Sequence, residues 1–233
     1  AVAAIEAAIT KRTCAIYLNT PHNPTGRTLP ERVLAGIAQL AERHKLWIFS
    51  DEVYEDVWFG ERAPGSAFAR PDMAARTVAT HSVSKAYGLA GARVGYTHGP
   101  REAMEVIRGV QTFYSYCAPR PMQFGAAAAL RNGDAWLTQM RAIYARAGRA
   151  AAHALEIPEP QGGTFLFFEL ARFTRPGETP TQVLERCVDA GVMLTPGTAC
   201  GSAFDGWARL CFTSVPEADL QDALTRLHGA LFR

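Results

Sequence analysis

The sequence predicts an α/β protein in two unequal parts, in which a mainly parallel sheet is flanked by helices. Three observations support this fold class: the 233 residues are 48% hydrophobic, short apolar runs alternate with amphipathic stretches, and polar residues follow the apolar runs. Strands and helices that alternate in this way are typical of parallel βαβ units. A chain of this length forms one large domain or two modest ones.

The first half of the sequence has the pattern of a βαβ unit followed by two further strands. Apolar runs at residues 14–18 and 46–49 predict strands. Residues 31–44 between them repeat apolar side chains on one helical face, and a proline precedes them. Further runs at 77–80 and 92–97 predict a third and a fourth strand. A right-handed crossover would make the first two strands parallel neighbours.

The second half of the sequence begins with helices and ends with a smaller α/β part. Helical periodicity dominates residues 101–155. Beyond them, strands are predicted at 164–170, 192–194 and 208–212, and helices at 180–190 and 216–231. We place the division inside a long helix at 134–155. This gives a first domain of residues 1–140 and a second of residues 141–233.

Composition and spacing exclude several functional classes. Lys and Arg number 24 against 22 Asp and Glu, a net charge of +2 that does not favour nucleic acid as a partner. No apolar run reaches the roughly 18 residues of a membrane-spanning helix. Five scattered cysteines without a C-x-x-C pair, and six histidines without ligand spacing, predict no metal site and a cytoplasmic protein.

Three polar segments follow predicted strands, at residues 19–26, 50–54 and 81–85. Ligands of open α/β sheets bind beyond the carboxyl ends of the strands, so we expect these segments at one rim. Lys85 stands there beside hydroxyl groups, where an amine can act as a nucleophile or Schiff-base former, although a surface loop lysine is commoner. Asp51 is either a solvated loop charge or an anion that pairs with a cation such as a protonated pyridine nitrogen.

Two arginines and one turn add further candidates. Arg93 is flanked by small residues that would let its guanidinium approach a phosphate, and its alternative is an ordinary surface arginine. Asn23 opens an Asn-Pro-Thr-Gly sequence that is typical of a tight turn. Arg209 is a charge inside an apolar strand, which requires either a bound carboxylate or an internal acid as its partner.

Taken together, these segments resemble the aspartate-aminotransferase-like (class I/II), fold-type I pyridoxal phosphate enzymes. The segments that carry the resemblance are, in order, LNTPHNPTG, SDEVY, HSVSKAYGLAGARVG, PQGGTFLFFEL, GVMLTPGTACG and WARLCF. It covers essentially the whole chain, and TPHNPTG and YSYCAPRPMQ are most similar to the kynurenine/methionine-type branch. The resemblance implies that residues 1–140 are the remaining part of a large cofactor-binding domain and that residues 141–233 form a small α/β domain.

The resemblance also implies a role for each matching residue. Lys85 would form a Schiff base with pyridoxal 5'-phosphate and move a proton at the substrate α-carbon, while Asp51 would pair with the pyridine nitrogen. Asn23 and Tyr54 would hydrogen-bond the phenolate oxygen, with Tyr54 in the catalytic group and Asn23 also beside the substrate. Arg209 would bind the substrate α-carboxylate. The phosphate would be held by Ser82, Arg93 and Ser84.

The chain departs from the family in lacking an N-terminal part. We therefore expect a fragment, or one polypeptide of a split or cleaved protein that requires its complement, with an uncovered sheet that favours association. Where dicarboxylate-specific members carry a partner-subunit arginine, a loose alignment places Gln111. This predicts that aspartate and glutamate are not the preferred amino donors through that contact.

The function that the resemblance implies is pyridoxal-phosphate-dependent transfer of an amino group from an amino acid to a 2-oxo acid. Its alternatives are a pyridoxal-phosphate-dependent C–S β-lyase, and a catalytically incomplete fragment or regulatory remnant of the fold. The family's default assembly is a homodimer. No nucleic acid or membrane partner is expected.

Overall fold

A computed structural model describes residues 1–232 of the chain, which form a mixed α/β protein with two compact units. The first unit comprises Ala1–Pro21 and Thr28–Met140. The second comprises His22–Arg27 and residues 141–232. The short segment His22–Arg27 thus belongs with residues that lie more than a hundred positions later, which a single boundary in the sequence does not anticipate.

The first unit is built on a four-stranded sheet. Its strands are β1 (Ala15–Asn19), β2 (Trp47–Asp51), β3 (Thr77–Ser82) and β4 (Gly95–His98), in that spatial order. The first three strands are parallel and β4 is antiparallel to β3. Successive parallel strands need a crossover, and the crossover from β1 to β2 contains the helix α2 (Glu31–His44), as the sequence predicts.

One face of this sheet is covered by helices and forms the core of the first unit. Along β1, Ile16 and Leu18 are buried while Tyr17 between them is exposed, because successive side chains of a strand point to opposite faces. Helix α2 packs its apolar stripe on the buried face, together with α1 (Val2–Ala8). The residues of this core include Ile16, Leu18, Leu34, Ile37, Leu40, Leu46, Ile48 and Met73.

The opposite face of the sheet is largely open. Tyr17 and Phe49 lie on it and remain 67% and 44% exposed. Helix α4 (Arg101–Tyr114) borders this face and buries none of its own residues. Two further helices, α3 (Val83–Ala86) and α5 (Arg120–Asn132), belong to this unit, which ends at Met140 within the long helix α6 (Asp134–Leu155).

The second unit contains a three-stranded antiparallel sheet. Its spatial order is β5 (Phe165–Glu169), β7 (Trp207–Cys211) and β6 (Thr195–Pro196). Helices α7 (Pro180–Asp189) and α8 (Glu217–Phe232) pack against each other. Short 3₁₀ turns occur in the chain at Ala74–Arg76, Ala90–Ala92, Ala171–Phe173, Gly197–Cys200 and Ser202–Phe204.

Two predicted strands differ from the structure. Residues 192–194 have the alternating burial of a strand, with Met193 exposed, but pairing with β7 begins only at Thr195, so the predicted strand at 192–194 is wrong. The strand predicted at 92–97 is observed as β4, which begins three residues later, at Gly95. The delay arises because Ala92 ends a 3₁₀ turn and Arg93 adopts a left-handed φ of 55°. Within residues 1–232, no helix is long and apolar enough to cross a membrane.

Candidate active site

In the first unit, the candidate residues gather at the carboxyl ends of the parallel strands. The register pairs Asn19 with Asp51, and Asp51 with Thr80, so three strands end at the same edge of the sheet. The Asp51 carbonyl accepts hydrogen bonds from the Asn19 side-chain amide at 3.0 Å and from the Thr20 backbone N–H at 3.3 Å. These bonds fix the backbone from which the Asp51 carboxylate projects.

Both oxygens of the Asp51 carboxylate accept hydrogen bonds. The Tyr17 hydroxyl donates to Oδ2 at 2.6 Å, and the Val53 backbone N–H donates to Oδ1 at 3.3 Å. Partial burial, followed by the bond to Asp51 and its negative charge, raises the pKa of Tyr17 to about 12. The phenol therefore stays protonated and remains a donor. Sequence reasoning missed Tyr17, although it lies diagonally across the strand pair from Asp51.

Lys85 lies beside Tyr54 in this unit. The Lys85 ammonium is 5.6 Å from the centre of the Tyr54 ring, a separation at which a cation is attracted to an aromatic face. Tyr54 is only 3% exposed, whereas Lys85 is exposed. The Lys85 side chain is thus exposed to solvent next to a buried ring.

The turn that carries Tyr54 is fixed by the buried Glu52. Its Oε1 atom accepts hydrogen bonds from the hydroxyls of Ser50 at 2.8 Å and Ser66 at 2.9 Å, and from the Ala67 backbone N–H at 3.3 Å. A buried carboxylate requires such partners because its desolvation is otherwise costly. Glu52 is a second residue that sequence reasoning passed over.

Ser82 and Ser84 lie at the start of the short helix α3 that carries Lys85. The Ser82 side chain caps this helix by accepting from the Ser84 backbone N–H at 3.1 Å, which leaves its hydroxyl proton available to an acceptor. The other end of α3 is held because the Trp136 indole N–H donates to the Ala86 carbonyl at 2.8 Å. Lys85 is therefore placed by contacts on both sides.

Arg93 follows α3 on an exposed bend. Its guanidinium donates through Nη1 to the Ala90 carbonyl at 2.8 Å, which fixes the stem of the side chain near its own backbone. A guanidinium has five N–H donors, so most remain for a further acceptor. An arginine held in this way suits an anion such as a phosphate.

In the second unit, Arg209 and Asn23 are in contact. Arg209 lies on the central strand β7, where its Nη1 donates to the Asn23 side-chain oxygen at 3.1 Å and its Nη2 contacts the Thr195 hydroxyl at 3.4 Å. The guanidinium carbon is 4.2 Å from the centre of the Phe165 ring, which fixes the plane of the fork. Thr195 is a third residue that the sequence did not single out.

The partners of Arg209 leave part of its charge unmatched. Within residues 1–232 no carboxylate forms an ion pair with it, and its Nε is a buried nitrogen without a hydrogen-bond partner. An unsatisfied buried donor of a charged group carries a desolvation cost. Of the two partners considered from sequence, an internal acid is thus not paired with Arg209 among the residues that the structure describes.

The turn that holds Asn23 is closed by backbone contacts. The Gly26 N–H donates to the His22 carbonyl at 2.8 Å, and the Gly26 carbonyl accepts from the N–H groups of Gln161 and Gly162. Gly26 has φ +65°, and a side chain there would lie 2.9 Å from the Phe165 carbonyl oxygen. Only glycine fits this position without strain.

The chain belongs to the family "Aminotransferase class I and II", whose model matches residues 1–227. It is 30% identical to aromatic-amino-acid aminotransferase 2 of Thermococcus litoralis, over 97% of this chain and 59% of that protein. It is equally identical to an aspartate aminotransferase of Pyrococcus abyssi, over 96% of this chain and 58% of that protein.

Solved structures of the same family have the same fold. The aromatic aminotransferase from Pyrococcus horikoshii OT3 superposes with a TM-score of 0.91 at 27% identity, over 100% of this chain and 63% of that one. N-Succinyldiaminopimelate aminotransferase from Mycobacterium tuberculosis gives a TM-score of 0.89 at 29% identity, over 99% and 62% of the two chains. The chain thus spans about three fifths of the length of these relatives.

Proposed function

We propose that this chain is part of a pyridoxal-phosphate-dependent aminotransferase that moves an amino group from an amino acid to a 2-oxo acid. The observation that carries the proposal is the grouping in the first unit. There, the exposed Lys85 amine lies beside the Tyr54 ring, and Asp51 ends the neighbouring strand of the same sheet. An amine nucleophile and an ordered carboxylate are the two groups that this cofactor requires most.

The chemical types of the candidate residues suit the cofactor. The Asp51 carboxylate would pair with the pyridine nitrogen, and its hydrogen bond from Tyr17 leaves further lone pairs for that contact. Tyr54 and Asn23 would donate to the phenolate oxygen. The phosphate would be bound by the Ser82 and Ser84 hydroxyls and the Arg93 guanidinium, all neutral or cationic donors. When bound, pyridoxal phosphate supplies an electron-withdrawing ring that stabilises negative charge at the substrate α-carbon.

Lys85 would supply two functions in the reaction. Its Nζ would hold the cofactor covalently before substrate arrives. The same amine would then act as the base that takes a proton from the substrate α-carbon and as the acid that passes this proton to the cofactor. The cap by Ser82 and the contact from Trp136 hold α3 at both ends, so the amine is oriented without the substrate's help.

Arg209 would bind the substrate α-carboxylate. Its fork has a buried Nε without a partner, and its neighbours Asn23 and Thr195 are neutral. A bidentate carboxylate would give the guanidinium a partner of opposite charge and fix the substrate's orientation. The exposed Gln111, which bonds Ser115, stays the basis of our prediction that aspartate and glutamate are not preferred donors. A homodimer in the cytoplasm remains the assembly and location that we propose.

The reaction is tested with the purified chain, pyridoxal phosphate, a panel of ¹⁵N-labelled amino acids and a 2-oxo acid acceptor. We expect ¹⁵N in the amino acid formed from the acceptor, and no product without it. Lys11→Ala is a matched control, since Lys11 is an exposed lysine remote in sequence from the candidate residues. It should retain the transfer that Lys85→Ala abolishes.

Two other outcomes would contradict aminotransfer. Release of pyruvate and ammonia without an acceptor would identify a β-lyase instead. Cofactor binding without any turnover would favour a catalytically incomplete member of the fold.

A further inference from the structure

Three titratable side chains of the first unit form a continuous hydrogen-bonded chain that the proposed reaction does not use. The Nδ1 atom of His81 lies 2.5 Å from the Glu55 Oε1 atom, and its Nε2 atom lies 2.8 Å from Nε2 of His98. His81 is only 5% exposed. We call these three residues the Glu–His–His chain.

The Glu–His–His chain joins the segments that carry the candidate cofactor residues. Glu55 directly follows Tyr54, His81 directly precedes Ser82, and His98 is the last residue of β4. In the sheet, Ser82 pairs with Gly95 at the end of the antiparallel ladder between β3 and β4. The Glu–His–His chain therefore connects the turn after β2 with β3 and β4, next to the helix that carries Lys85.

The two contacts of His81 restrict where protons can be. The Glu55 carboxylate is an acceptor, so His81 Nδ1 carries the proton of that bond. Between the two Nε2 atoms only one can be protonated while the 2.8 Å contact lasts, because two N–H groups would face each other. One histidine of the pair can therefore be charged, whereas charging both rings must break the contact.

The surroundings favour a positive charge on His81 over one on His98. Burial opposes that charge, but the bond from Glu55 and the negative charges of Glu55, Glu52 and Asp56 outweigh it and raise the pKa of His81. Burial and the neighbouring His81 lower the pKa of His98, although Glu52 and Glu55 act in the opposite direction.

Aromatic rings from two segments enclose the pair. The Tyr96 ring of β4 stacks on His81 with centroids 4.8 Å apart, and burial and nearby carboxylates raise the pKa of Tyr96 to about 12, so it stays neutral. The Tyr87 hydroxyl near the end of α3 interacts electrostatically with Tyr96. Phe68 packs edge-on against His98 at 4.2 Å.

We propose that Glu55, His81 and His98 are positioning residues, which hold one shared proton and thereby fix Ser82 and Lys85, and which release them when acid charges both histidines. The proposal rests on the proposed function in one respect only, namely that Ser82 and Lys85 serve the cofactor. No residue of the Glu–His–His chain needs to touch the cofactor itself.

The Glu–His–His chain is tested by an NMR titration of the histidine rings in the purified, cofactor-free protein. His81 and His98 should titrate at two separate midpoints, above and below the ordinary histidine value of 6.5 respectively. Glu55→Gln should lower the His81 midpoint by about one pH unit, because a neighbouring carboxylate is lost. The control His44→Gln should leave both midpoints unchanged.

The coupling to the cofactor residues is read from backbone amides in the same titration. The amide signals of Ser82 and Lys85 should shift with the lower midpoint, and His98→Gln should abolish that shift because the second charge can no longer form. A single midpoint shared by both histidines, or amides of Ser82 and Lys85 that do not respond to it, would overturn the proposal.

Cofactor binding separates this proposal from the proposed function. The dissociation constant of pyridoxal phosphate should rise about tenfold below the lower midpoint in the native chain and stay constant in His98→Gln; a native chain without this change would overturn the coupling. A native chain that binds no pyridoxal phosphate at any pH would contradict the claim that its residues hold the cofactor unaided, whereas the ring and amide titrations still decide the Glu–His–His chain.

Discussion

At the scale of single residues, the guanidinium of Arg209 has only some of the hydrogen-bond partners that it can accommodate, and none of them is charged. Its Nη atoms contact Asn23 and Thr195, which are both neutral, while its Nε is buried without a partner. A charged group in a strand is stabilised only when its donors are matched. The sequence identified the charge, but only the structure shows that, within residues 1–232, no internal acid neutralises it.

We therefore predict that Arg209→Lys weakens the binding of amino and oxo acids by about 10- to 100-fold, because an ammonium cannot reproduce the bidentate fork. The measurement is the KM for both substrates. Arg226→Lys is the matched control, since Arg226 pairs with Asp222 on the exposed face of α8. Equal KM values for Arg209→Lys and the native chain would show that Arg209 does not bind the carboxylate.

The pH dependence of stability follows from two other residues, His81 and His98. The raised pKa of His81 contributes stability that is complete below its ordinary value of 6.5 and is lost as pH rises through the raised pKa. The lowered pKa of His98 contributes stability above 6.5 that is lost as pH falls.

We expect this pair's contribution to the free energy of unfolding to be greatest near pH 6.5. Urea unfolding of the native chain and of the double variant His81→Gln/His98→Gln across pH 5–8 measures this contribution as the difference between the two. A difference that does not change with pH would refute this expectation.

At the scale of elements, periodicity predicts the helices and most strands, because burial of one face determines them. Helix α2 and strands β1, β2, β5 and β7 lie within one or two residues of their predicted positions. Residues 192–194 were misassigned because alternating burial does not by itself supply a hydrogen-bonded neighbour. The residue types around Gly26 predict the turn. They do not predict its contacts with residues 160–165, because those residues are distant in the sequence.

The close contact of Gly26 with the backbone of other residues can be tested by comparing alanine substitutions at Gly26 and Gly177. Gly26 and Gly177 both have positive φ, but a side chain at Gly177 would meet nothing within 4 Å. Gly177→Ala should cost about 1–2 kcal/mol of stability from the backbone conformation alone. Gly26→Ala should cost more, because two carbonyl oxygens lie within about 3 Å of the added carbon. Chemical denaturation measures both, and equal losses would show that the turn is not closely packed.

At the scale of the whole molecule, the predicted site residues fall into two groups. Asn23 and Arg209 belong to the second unit, and the remaining six belong to the first. The sequence identified both groups because each occupies a motif of the family. It could not identify Tyr17, Glu52 or the Glu–His–His chain, because their partners are set by strand register and by a turn, which no motif encodes.

The open face of the first unit has a consequence for the isolated chain. Val106, Val110 and Phe113 on α4 are 67%, 63% and 95% exposed. A contiguous apolar surface of this kind favours association, so we expect the chain to self-associate at micromolar concentration. Sedimentation velocity should show less association for a Val110→Ser/Phe113→Ser variant, while Met193→Ser, an exposed residue of the second unit, should have no effect. A monomeric native chain would contradict this expectation.

The most direct test of the central claim is the visible absorption spectrum of the purified chain with pyridoxal phosphate, before and after amino acids are added. We predict a yellow band that requires Lys85, persists in Lys11→Ala, is absent from Lys85→Ala, and shifts when an amino donor is added. A band of equal strength in Lys85→Ala would contradict the claim that Lys85 and its neighbours form the cofactor site. The absence of a band from the native chain would contradict the claim that these residues hold the cofactor unaided.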